Sequence, residues 1–198
     1  MKKLVIKTAC ITLCAVVLLS ALLYGAFCLF SPKTLAKFFD NIGFENLALK
    51  NYEREYNKTE DIVDLYTLVS RLDEKYDAEK CEKYSYMLLS DAGFDALTEV
   101  LDGENPTLST SEYVWGKYAL SLTFNGKFNK ALTVAENYYN ENGYTQFSPF
   151  RLMANEGKTA LTNEQKHTLK SKLMEIDAKT SATAVKLLIQ SDIASISN

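Results

Sequence analysis

Residues 115–139, WGKYALSLTFNGKFNKALTVAENYY, carry the reading that decides the fold. Apolar side chains recur at three- and four-residue intervals on either side of Asn125-Gly126-Lys127, the pattern of two amphipathic helices meeting at a short turn. Ala119 and Ala131 place small side chains where the two helices cross, so their backbones can approach closely. Trp115 and Phe128 supply bulk beside them. The pattern predicts helices over about 111–125 and 128–140, with Asn142-Gly143 ending the second. Trp115 and Ala131 are expected to be largely buried.

Strand-like alternation is nearly absent outward from this stretch, and long periodic segments are separated by single glycines and three prolines. Ser31-Pro32 reads as a helix start, a capping hydroxyl followed by proline in the first turn. Leu35, Ala36, Phe39 and Ile42 mark one face of that helix, and Gly43 ends it. A second helix carries Leu47, Ala48, Tyr52 and Tyr56. Thr59 is expected to cap a third, striped by Ile62, Leu65, Leu68, Val69 and Leu72. A fourth begins near Ala78 and carries Cys81, Tyr84, Leu88 and Leu89. Residues 91–111 are less regular, a short helix with Phe94, Leu97, Val100 and Leu101 followed by a turn over 102–106. Pro149 begins a short helix that Gly157 ends, Thr162-Asn163-Glu164-Gln165 caps another, and a last helix runs over about 181–195.

The helix pairs share a spacing that resembles the tetratricopeptide repeat. That pattern sets an aromatic early in the first helix, a small residue four positions later, Gly at the turn, an aromatic two beyond it and Ala three further on. Here these stand as Trp115, Ala119, Gly126, Phe128 and Ala131. The first pair matches through Leu35, Ala36, Phe39, Gly43, Ala48 and Tyr52, and the second through Leu65, Leu68, Val69, Leu72 and Cys81. Ala48 and Cys81 are 33 residues apart, near the repeat's 34. Cys81 and Ala131 are 50 apart, so residues 91–111 interrupt the array. The repeat's terminal proline is missing from all three pairs, and Tyr138 stands where a small residue is usual. The expected fold class is therefore all-α: an N-terminal transmembrane helix, then an α-solenoid of antiparallel hairpins. Residues 31–90 form pairs one and two, 91–111 an irregular insertion with a short helix, 112–143 pair three, and 144–198 the C-terminal helices.

Residues 8–30 form an uncharged, mostly apolar run of 23 residues. As a helix it would reach about 35 Å, enough for a hydrocarbon core of about 30 Å. Lys2, Lys3 and Lys7 precede it, while Lys33 and Lys37 follow with Asp40 in partial offset. The heavier positive flank stays inside. This reading makes 1–30 a cytoplasmic tip and single-pass signal anchor, with 31–198 outside the cytoplasm. Two alternatives stay open. A cleaved signal peptide has a shorter apolar core, about 7–15 residues, and small residues at the cut; here Tyr24 occupies one of those positions. A lipoprotein would use Cys28, but Phe27 stands directly before it.

Beyond the three N-terminal lysines, 19 basic side chains face 25 acidic ones, a net charge of −6. That balance argues against nucleic-acid binding, which needs basic surface to neutralise phosphates. Three of four cysteines lie in the apolar run, leaving Cys81 without an internal disulfide partner. An exported domain with one thiol and Lys-, Asn-, Tyr- and Ile-rich composition fits a bacterial envelope protein.

Little points to chemistry. His167 is the single histidine and falls on a polar helix face, and zinc sites need three or four ligands. Asp73, Glu74 and Asp77 lack the central glycine of a calcium loop. Gly126-Lys127 lacks the spacing of a phosphate loop, and no serine sits in a nucleophile elbow. No cofactor or catalytic residue is assigned, and an enzyme is not expected.

The tetratricopeptide resemblance implies recognition of a protein or peptide through a concave surface. The residues opposite the Trp115 stripe are Tyr113, Lys117, Leu120 and Phe124, with Tyr66 and Ser70 on the equivalent face of the preceding pair. These six form the candidate partner-binding face. Two other classes remain: a carboxylate-based cell-wall or glycan enzyme on the same anchor, favoured by carboxyls converging in a cleft with a raised pKa, and a self-associating structural envelope protein.

Overall fold

The computed structural model describes the backbone of residues 2–104 and 109–197, and side chains within 10–26, 31–104 and 109–197. Among the described residues all regular structure is helical, with eleven α-helices, one 3₁₀ turn and no strand. The chain divides into two compact units, Met1–Leu68 and Val69–Asn198.

In the first unit, α1 (Lys2–Phe30) is a continuous 29-residue helix. Its described stretch, 10–26, exposes Ile11, Leu13, Val16, Val17, Leu18, Leu19, Leu22 and Leu23. Within the described residues no helix is long and apolar enough to cross a membrane. The ends of the 8–30 run, with Cys28, lie outside the described side chains. After Ser31, α2 (Pro32–Asn41) starts on proline, and Gly43, at φ 79°, ends it. Ser31 does not cap the helix with its side chain; its hydroxyl donates instead to Thr34 Oγ1 at 2.5 Å. α3 (Glu45–Thr59) packs back on α2, burying Leu35, Ala36, Phe39, Ala48 and Tyr52. Ile42 and Leu47, expected on the apolar stripes, are exposed at the turn between them.

α4 (Ile62–Arg71) starts after Glu60, which takes a left-handed backbone. Its cap is Asp61, whose Oδ1 accepts from the amides of Val63 (2.8 Å) and Asp64 (3.3 Å). Thr59 is the last residue of α3, not the cap, and its hydroxyl lies 2.9 Å from Asp64 Oδ2. The carboxylate at position 61 reaches two free amides that Thr59 cannot. Lys33 Nζ closes this corner on Asp64 at 2.5 Å.

The second unit holds α5 (Ala78–Leu89), α6 (Phe94–Glu104), α7 (Thr110–Phe124), α8 (Phe128–Asn142), α9 (Pro149–Asn155), a 3₁₀ turn (Gly157–Ala160), α10 (Asn163–Lys179) and α11 (Thr183–Ser197). The expected insertion is in large part a regular helix, α6, that reaches across residues 102–104; Asn105 and Pro106 lie outside the described residues. α5 is capped by Asp77 and α10 by the full Thr162–Gln165 capping box. In that box, each side chain accepts the other residue's backbone amide, satisfying two donors a helix start leaves orphaned.

α7 is the hub. α5, α6, α8, α9 and the 3₁₀ turn all pack on it, so it is buried on nearly every face. Small residues make this possible. A Cβ on Gly116 would stand 2.3 Å from Leu152 Cδ1 and 3.0 Å from Phe147 O, so α9 and the chain leading to it press directly on that backbone. Ser121 and Thr123 are buried, and their hydroxyls are satisfied by the Tyr118 and Ala119 carbonyls. Trp115 is only half-buried and sits edge-on to the buried Tyr118, while Ala119 and Ala131 are fully enclosed. Pair three and the C-terminal helices share one core, in which Ala119, Leu122 and Ala131 join Phe150, Met153, Leu169, Leu173 and Ile189.

α11 is latched to this core by a buried carboxylate. Asp192, with no solvent exposure, accepts the Tyr144 hydroxyl at 2.5 Å and the Asn155 amide at 2.8 Å, with Arg151 Nε at 3.8 Å. Burial and this carboxylate push the Tyr144 hydroxyl far above its ordinary range.

Candidate functional site

Five of the six candidate residues belong to the second unit. Tyr66 belongs to the first, where it is half-buried on α4. Along α7, Tyr113, Lys117, Leu120 and Phe124 do fall on one face, as helical spacing requires. That face is not an open groove. The loop between α4 and α5 crosses it at one end, and α9 with the 3₁₀ turn crosses at the other.

Lys117 is the tie at the first crossing. Its Nζ pairs with Glu74 Oε1 at 2.6 Å, donates to the Leu72 carbonyl at 2.7 Å, and sits 5.5 Å from the Tyr113 ring centroid. The Tyr113 hydroxyl points to the Ser70 carbonyl at 3.5 Å. Both charged side chains are about nine-tenths enclosed, at 9% and 11% exposure. Burial lowers the Lys117 ammonium, but Glu74 and Tyr113 outweigh it and hold the group above its ordinary value. Cys81, fully buried nearby, has its thiol pushed up to about 12 by burial and by Glu74, so it is an inert packing residue.

At the second crossing, a Cβ on Gly157 would stand 3.2 Å from both Leu120 Cδ1 and Thr123 Cγ2. The 3₁₀ turn therefore covers Leu120, which is 3% exposed. The expectation that this face of α7 lacks a core duty is thus corrected at Lys117 and Leu120. Each has one, because elements far along the chain dock there.

Between the two crossings an opening of about 420 Å³ remains. Asp73, Glu74 and Lys75 line one wall, Asn155, Glu156 and Thr159 the other, and Leu120 with Phe124 the floor. Burial raises the Glu156 carboxyl above its ordinary value; Glu74 and Asp73 add to the rise, and Lys117 opposes it. A visiting group meets carboxylates at the walls and an apolar base below. That chemistry suits a cation carried on an apolar stem.

Sequence periodicity missed Asp73, Glu74, Asn155, Glu156 and Thr159, since four of the five lie in loops or at helix ends. A usable signal was present. Gly116, Ala119 and Thr123 place small side chains along one face of this helix and Ser121 places one on a second, so neighbouring elements can close on it from two sides. His167 is exposed on α10. Among the described residues, no three or more His, Cys, Asp and Glu side chains gather where they could hold a metal ion. No family model matches this chain, and neither a curated protein nor a solved structure is similar to it.

Proposed function

We propose that this chain is a membrane-anchored, extracytoplasmic module that binds a protein or peptide segment at the cleft beside α7, on a tetratricopeptide-like arrangement of helix pairs. The observation that carries the binding reading is the cleft itself, lined by Asp73, Lys75 and Glu156 with Phe124 at its base, while Glu74 is already paired with Lys117. A lysine or arginine with an apolar neighbour is the matching ligand, because the carboxylates attract the charge while the floor removes the stem from water. The anchor rests on the uncharged 8–30 run, the lysine imbalance around it, and outward-facing apolar side chains on a continuous helix. The repeat reading rests on the enclosed small residues Ala36, Ala48, Cys81, Ala119 and Ala131 at the spacing the family uses.

Crosslinking in native membranes, followed by affinity capture and mass spectrometry, tests the binding reading. A specific partner should be captured by the wild type and lost in Phe124→Ala and Glu156→Gln, with melting temperatures nearly unchanged. Equal capture by both variants would remove the cleft as the site. A reporter active only outside the cytoplasm, fused after Asn198, should be active; an inactive one removes the topology.

One observation favours a second reading. Burial, with Glu74 and Asp73, raises the Glu156 carboxyl, the direction of shift that a general acid requires. On that reading the cleft would hydrolyse a glycan. Turnover of cell-wall oligosaccharides abolished by Glu156→Gln would replace the binding module with an enzyme.

A further inference from the structure

Nothing in the cleft argument accounts for the most apolar exposed surface of the first unit beyond α1. At the turn joining α2 and α3, Phe38 is 55% exposed, Ile42 49%, Phe44 56% and Leu47 38%. Four large apolar side chains on one short tip exceed the isolated surface residues that need no explanation. They are held in place: Phe38 and Phe44 both meet the buried Phe39 edge-on, at ring separations of 5.6 and 6.4 Å.

The position of this tip follows from a single contact. α1 ends at Phe30 and α2 starts at Pro32, yet the Tyr24 ring lies 6.1 Å from that of Phe39. A residue six before the end of α1 therefore touches one seven after the start of α2. α2 must double back along α1, carrying the tip past Phe39 to the level of Tyr24 or deeper. Tyr24 stands about 9 Å below the end of α1, at 1.5 Å per residue.

We infer that the α2–α3 tip is a membrane-interface foot: Phe38, Ile42, Phe44 and Leu47 enter the outer-leaflet boundary between headgroups and acyl chains, beside the anchor. The inference rests on the anchor reading above and adds a second lipid contact to it. Interfacial elements sink about 5–10 Å into this boundary, the depth at which the doubled-back tip arrives. Tyr24 supplies the amphipathic ring that this layer favours, and the two exposed phenylalanines add apolar bulk beside it. Charge near the tip is balanced, Asp40 and Glu45 against Lys37 and Lys50, so the contact is apolar and needs no anionic lipid. A second copy of the chain is the competing occupant, and continuity of the tip with the lipid-facing side of α1 favours the bilayer.

The test uses the full chain in phosphatidylcholine vesicles. Trp115→Phe removes the native tryptophan, and Leu18→Trp or Phe44→Trp then places one reporter in the span or at the tip, with helical content checked by circular dichroism. The inference expects both reporters to emit at short wavelength. Lipids brominated high on the acyl chain should quench Phe44→Trp most, and deeply brominated lipids should quench Leu18→Trp most. Phe38→Trp should repeat the Phe44→Trp result. Quenching of Leu18→Trp with long-wavelength, unquenched emission at the tip would overturn the foot and leave the anchor standing. Short-wavelength tip emission that bromolipids leave untouched would mean a protein cover, and would also overturn it. A Leu18→Trp reporter insensitive to every bromolipid would remove the anchor, and the foot with it.

Discussion

Replacing Lys117 with methionine separates a structural lysine from a binding one. The ammonium makes two short contacts, 2.6 Å to Glu74 and 2.7 Å to the Leu72 carbonyl, in a site where both charges are about nine-tenths enclosed. Methionine keeps the length of the stem and deletes the charge, leaving the Glu74 carboxylate buried without its counter-ion. Breaking one side of a buried pair costs about 3–5 kcal/mol, because the surviving charge has lost its compensation. For a unit of this size, that corresponds to a melting temperature lower by about 10–20 °C. Replacing both partners, as Lys117→Met with Glu74→Leu, removes both desolvation costs and should recover most of the loss. The double-mutant cycle should then give a coupling of at least about 2 kcal/mol. Urea unfolding of the full chain in detergent, followed by circular dichroism, measures all four proteins.

The pH dependence has a definite sign. Lys117 is held above its ordinary value in the folded chain, so its contribution is complete below that ordinary value. It fades only as pH rises through the raised one. The gap between wild type and Lys117→Met should therefore be flat between about pH 6 and 9 and narrow above about 10.4. A loss below about 1 kcal/mol for Lys117→Met, or two single losses that simply add, would refute this account of α7.

Gly116→Ala should destabilise even though alanine favours helices by about 1 kcal/mol, since its Cβ meets Leu152 and the Phe147 carbonyl. Gly103→Ala, with nothing within 4 Å, should gain up to about 1 kcal/mol, and thermal melts of the pair isolate the packing cost. Glu112 has its carboxyl raised by burial, with the Phe147 amide at 2.8 Å opposing the rise. The folded state therefore keeps this proton longer than the unfolded one, and the penalty grows as pH climbs from the ordinary glutamate value through the raised one. Glu112→Gln should match wild type near pH 4 and gain on it toward pH 7, as denaturation midpoints across that range will read.

Helices whose ends are written in neighbouring residues were legible. Thr162 and Gln165 lie three apart, and their capping box formed as the spacing demands. Gly43 and Gly143 likewise end α2 and α8 with positive φ. The misread positions depend on distant chain. Trp115 had the bulk to fill a core, but Gly116 beside it receives α9, and docking over more than 30 residues leaves no mark in periodicity. Lys117 reads as a charge on a partner-binding face until Glu74, 43 residues earlier, is folded against it. Ile42 and Leu47 fit a buried stripe by spacing, yet the α2–α3 turn swings both outward. The cleft was invisible for the same reason, since its walls come from three separate segments.

The Asp192 latch sets the order in which the second unit can be completed as the chain is made. Tyr144 and Asn155 leave the ribosome 48 and 37 residues ahead of the carboxylate they will serve. At about 5–20 residues per second, the nascent unit waits on the order of seconds without the Asp192 acceptor and with the Ile189 and Ile196 sites of its core unfilled. On the topology proposed above this delay favours export, because the helix that locks the unit follows the donors it serves.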